Sequence, residues 1–119
     1  MRQDRLPQHV DSEIVVPVET IDNLITQGLI DPTTIGLIWM DAEGFEEEIF
    51  SACDVLLKAR TPLAFEFTPG FYSDDQRRKI IERIFAHYDD VSVITSSGFS
   101  PLAKNDGLRL VRRVDLFCC

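Results

Sequence analysis

The sequence predicts an α/β fold whose mainly parallel sheet has four principal strands and two main flanking helices. Three observations carry this expectation. Short apolar runs at 35–40 and 63–65 lack polar alternation, as strands buried on both faces do, and a further strand is read at 91–95. Longer stretches with apolar residues at helical spacing separate them. Two of the runs end on acids, Asp41 and Glu66, at the edge where open α/β sheets bind ligands.

Taken in order, residues 1–12 are polar and contain Pro7, which predicts a flexible arm ahead of one domain over 13–119. Glu13 to Val18 reads as a short strand that Pro17 confines to an edge or an end. Ile21, Leu24 and Ile25 predict a helix from Thr20 to Gln27, stopped by Gly28. After the Asp31-Pro32-Thr33-Thr34 turn comes the strand at 35–40, with Trp39 expected in the core. Phe45, Ile49, Phe50, Cys53, Leu56 and Leu57 then line one side of a helix over 44–59. Thr61-Pro62 breaks it before the strand at 63–67. Ser73 is placed to cap a helix over 73–88 whose stripe includes Ile80, Ile81 and Ile84. Val91 to Thr95 is the next strand, a loop with one helical turn at 101–104 follows, and 108–119 reads as an antiparallel last strand.

The chain carries 12 Lys plus Arg against 20 Asp plus Glu, a net charge of −8. That balance argues against nucleic-acid binding, which needs a basic surface. The basic clusters Arg77-Arg78-Lys79 and Arg112-Arg113 are read as solvated faces. No apolar run approaches the ~20 residues of a membrane span, and no secretory signal is visible. Three cysteines without zinc spacing predict a reducing, cytoplasmic setting, with Cys53 as a small core residue.

Val16-Pro17-Val18-Glu19-Thr20-Ile21-Asp22-Asn23-Leu24, the Ile35–Glu46 strand with its Asp-x-Glu-Gly-x-Glu turn, Thr61 to Pro69 and Val114-Asp115-Leu116-Phe117 together resemble FkbM-type methyltransferases. The resemblance runs over about 14–117 and covers the carboxyl-terminal half of that fold. It implies a partial Rossmann-like domain, S-adenosylmethionine as cofactor, and methyl transfer to the hydroxyl of a sugar or other small molecule. It also places Asp41 near the transferred methyl and, with Glu43, against the cofactor. The glycine cluster that a nucleoside-cradling turn requires has no counterpart, since the six glycines stand singly. The isolated chain is therefore expected to be incomplete as an enzyme. Strand 35–40 is expected to have a bare edge, covered by segment 13–18, by a second copy in a homodimer, or by a separate amino-terminal half.

Asp41 and Glu66 are the candidate catalytic residues. Neighbouring strands would bring the two carboxylates together, Asp41 as base toward a substrate hydroxyl and Glu66 as orienting group. Glu43 and Glu46 are also read as first-turn partners of the helix dipole. A non-catalytic assembly module is the alternative function, and a two-carboxylate Mg²⁺ site for phosphoryl transfer a lesser one.

Overall fold

The computed structural model describes residues 12–119, so most of the expected arm lies outside the described residues. The elements in order are α1 (Ile21–Thr26), β1 (Ile38–Met40), α2 (Glu46–Ser51), α3 (Asp54–Lys58), β2 (Leu63–Phe67), α4 (Asp74–His87), β3 (Val91–Thr95), β4 (Gly98–Pro101), α5 (Lys104–Leu108) and β5 (Val114–Cys118). The class is α/β as expected. The sheet is not mainly parallel.

Its strand order is β1-β2-β5-β3-β4. Only β1 and β2 pair in parallel; β2–β5, β5–β3 and β3–β4 are antiparallel. The physical reason is the place of β5, which inserts between β2 and β3 and runs against both. β1, β2 and β3 do share one direction, but β2 and β3 are not neighbours. The fifth strand is a second correction. Ser96 and Ser97 link β3 to β4 as a tight hairpin, where a loop was expected, and Gly98 takes the left-handed φ of +124° at its return. The helical turn falls later than expected, at α5.

Segment 13–18 is not a strand. Its backbone has no ladder partner among the described residues, Pro17 lacks an N–H to donate, and Val15 is 97% exposed. It therefore leaves β1 bare, with β2 as its sole neighbour among the described residues. The last strand is confined to 114–118.

The expected helix over 44–59 is broken in two. Ala52 and Cys53 leave helical geometry, and α1 docks at the break. The Asp22 N–H donates to the Ala52 carbonyl at 3.0 Å. The Asp22 carboxylate accepts from the N–H groups of Asp54 and Val55 at 3.0 and 3.1 Å. A residue 32 positions before Asp54 thus supplies the cap that α3 lacks locally. By contrast α4 keeps its own capping box, Ser73 with Gln76, as its sequence predicts.

One face of the sheet forms the core. Leu63, Phe65, Phe67, Leu116 and Cys118 point to it and pack on Phe50, Leu57, Ile80, Ile81 and Ile84. Phe67 and Tyr72 stack within this same core. Cys53 is buried as expected. Among the described residues no element covers the other face. Trp39, expected in the core, stands on it 80% exposed. The alternation of β2 explains this: strands covered on one side only need apolar residues at every second position.

Candidate functional site

The acidic turn after β1 carries backbone strain that one buried carboxylate offsets. Glu43 and Gly44 are consecutive left-handed residues, with φ of 49° and 104°. Gly44 adopts this freely; for Glu43 it costs on the order of 1 kcal/mol, which surrounding contacts must offset. Glu46 supplies them. Only 2% exposed, its carboxylate accepts from the Ala42 N–H at 3.2 Å and the Gly44 N–H at 3.0 Å. Tyr72 donates its hydroxyl to the same carboxylate, and the Glu46 N–H donates back to that oxygen at 3.3 Å. Glu46 is thus an internal strut of the turn and more than a helix-dipole partner. The Asp-x-Glu-Gly-x-Glu pattern signals it; Tyr72, distant in sequence, gives no such signal.

With the turn fixed, Asp41 stands exposed at the end of β1. It shares a cavity of about 230 Å³ with Trp39, Ala64, Glu66, Ile94 and Asp115 on the open sheet face. Asp41 and Glu66 are therefore brought to one cavity, as the neighbouring strands require. Glu43 does not line it. Glu66 is half-buried, accepts from Thr68 Oγ1 at 3.4 Å and lies 3.6 Å from the Arg113 guanidinium. Arg113, read from sequence as part of a solvated face, reaches the site as its cationic partner.

Asp115 was missed as a site residue. It sits directly opposite Glu66 in the β2–β5 register and opposite Ile94 in β3. Two like charges at one cross-strand position are unfavourable unless a cation or ligand lies between them. The signal was present in Val114-Asp115-Leu116-Phe117, but only the β5 insertion puts Asp115 beside Glu66. Among the described residues, no group of three or more His, Cys, Asp or Glu is arranged to hold a metal ion. The Mg²⁺ alternative gains no ligand set from this geometry.

The model of the family described as the methyltransferase FkbM domain matches residues 2–100. The chain belongs to the FkbM methyltransferase family. The match takes in β1, the acidic turn, β2, α4 and β3, hence Asp41, Glu43 and Glu66, while Asp115 lies beyond it. No curated protein and no solved structure matches the chain.

The family generally uses S-adenosylmethionine. An added Cβ at Gly28, Gly36, Gly70 or Gly98 would meet nothing within 4 Å, so packing within the chain does not require glycine at these positions. The cavity beside Asp41 is smaller than the roughly 300–1,000 Å³ typical of pockets that enclose whole cofactors. What this FkbM chain does form is a short acidic wall with an indole at one end.

Proposed function

We propose that this chain supplies the acceptor side of an O-methyltransferase acting on a small-molecule hydroxyl, with S-adenosylmethionine as methyl donor. The observation that carries the reading is the meeting of Asp41 and Glu66 in one cavity within the segment matched to the family. When bound, the cofactor provides an electrophilic methyl group. The chain's own part is proton and substrate handling. Asp41, solvated and at the strand end, takes the proton of the acceptor hydroxyl, for which it must approach within ~3 Å. Glu66, steadied by Thr68 and Arg113, accepts a hydrogen bond from a second hydroxyl and sets the acceptor's orientation. The donor site is completed by a further polypeptide surface that covers the edge of β1. We take residues 13–119 as one folding unit, and three free cysteines favour a cytoplasmic setting.

Asp41→Asn tests the assignment in the assembled enzyme. Transfer is expected to fall at least 100-fold, the scale of a lost general base, with the thermal midpoint unchanged. Near-normal turnover would remove Asp41 from the mechanism.

A second reading, an assembly module without chemistry, is favoured by the exposure of Trp39 and the bare edge of β1. Titration of the chain with S-adenosylmethionine, alone and with its assembly partner, separates the two. Cofactor binding that never appears in either state supports the module.

A further inference from the structure

A second cavity, of about 210 Å³, lies between the first turns of α4 and the segment after α5. Its polar lining is three guanidiniums, Arg77, Arg78 and Arg109, against one carboxylate, Asp74. That excess of positive charge is local in a chain whose net charge is −8. Arg77 is held by an ion pair with Asp74, and its side chain is only 31% exposed. Arg78 is paired with Asp75, which does not line the cavity. Arg109 has no ion-pair partner among the described residues and faces the same space.

The convergence depends on close packing. At Gly107 a Cβ would lie 3.3 Å from Ile81 and 3.4 Å from Phe85, so glycine lets α5 press against α4. The chain leaves that contact at Arg109, which lines the same cavity as Arg77 and Arg78. Leu110 and Val111 complete the wall with apolar surface. Planar guanidiniums that line one cavity suit the oxygens of a phosphate, which each can bind through two N–H groups. The volume is below that of whole-cofactor pockets, so it accommodates one such group with a small organic body.

We propose that this cavity binds the phosphate of a small-molecule phosphate monoester. The site stands on its own geometry and does not require the methyl-transfer reading. The edge it occupies adds to its interest. α4 starts just after β2 and the Arg109 segment leads into β5, whose Val114 is opposite Phe67 at the end of β2. The arginines therefore lie toward the sheet edge that also carries Glu66.

The test is an NMR titration of the chain with inorganic phosphate and, separately, with a hexose monophosphate. Both probes are expected to shift the backbone amides of 74–78 and 108–111, the monoester binding at least as tightly. Arg109→Gln should weaken both about tenfold or more, while Lys58→Gln, a charge lost elsewhere, should not. Arg78→Gln repeats the measurement if Arg109→Gln alters the core resonances. Shifts confined to other residues, equal effects of Arg109→Gln and Lys58→Gln, or exclusion of the monoester would each overturn the proposal. Because no methyl donor is present, loss of transfer activity leaves this result untouched.

Discussion

Glu46 holds the site's geometry although Asp41 is proposed to do its chemistry. Its carboxylate satisfies two backbone N–H groups and the Tyr72 hydroxyl in a buried place. Removing it leaves all three without their acceptor, and each unsatisfied buried group costs ~1–3 kcal/mol. Glu46→Ala is therefore expected to destabilise the fold by about 3 kcal/mol, read from the denaturant midpoint, whereas Glu43→Gly should be neutral or stabilising because it relieves the positive φ. Equal losses in the two variants would contradict the strut role. The cysteines give a second prediction at this scale. Burial pushes the Cys53 thiol from 9.0 up to about 11 and the Cys118 thiol up to about 12, while Cys119 is exposed. Thiolate is the reactive form, so iodoacetamide at pH 8 should label one cysteine of the native chain and all three after denaturation. Both folded pKa values are raised, so the unfolded chain releases these protons first. The thiols' contribution to stability is thus complete below pH 9 and is lost as pH climbs from 9 toward 11 and 12. A denaturation midpoint that holds constant from pH 8.5 to 10.5 would contradict this.

Among the elements, the contrast between α4 and the α2–α3 pair is instructive. α4 carries its start signal within four residues, Ser73 to Gln76, and its extent was legible to within one residue at each end. The α2–α3 region has continuous helical periodicity, and nothing local announces a break. The break exists because Asp22, on α1, offers the N–H groups of Asp54 and Val55 a better acceptor than one more helical turn would. Asp22→Ala should then cost about 1–2 kcal/mol, as other lost caps do, and speed amide exchange at Asp54 and Val55. Unchanged exchange there would show that the break is intrinsic to Ala52-Cys53. The same distinction applies to β4. Its residues, Gly-Phe-Ser-Pro, have weak strand propensity, and only pairing with β3 makes them a strand.

For the molecule as a whole, the decisive feature is a sheet that, among the described residues, is covered on one face and bare along β1. Trp39 is the only tryptophan and stands on that open face beside that edge. Exposed apolar surface next to unpaired strand backbone is a recognised association site. The single indole makes it measurable. In dilute solution Trp39 emission should be solvent-like and fully accessible to acrylamide. If a partner surface covers β1, quenching should fall as that partner is added or as concentration rises. Quenching that never changes, with the chain monomeric throughout, would argue against coverage and with it the proposed completion of the donor site.

By itself the sequence determined the α/β class, the helix capped by Ser73, the strands at 63–67 and 91–95, and the family, because each rests on neighbouring residues: periodicity, caps and contiguous motifs. It also put Asp41 and Glu66 at strand ends. The neighbour of each strand was a tertiary decision. Apolar runs at 63–67 and 91–95 are equally compatible with direct parallel pairing or with β5 between them, since hydrophobic pattern records burial and not the identity of the partner. That insertion turned the sheet mostly antiparallel, set Asp115 against Glu66, and carried Arg113 into the site. Trp39 was misplaced for the same reason: an apolar run states that a strand is buried, while only the packed molecule decides on which of its faces.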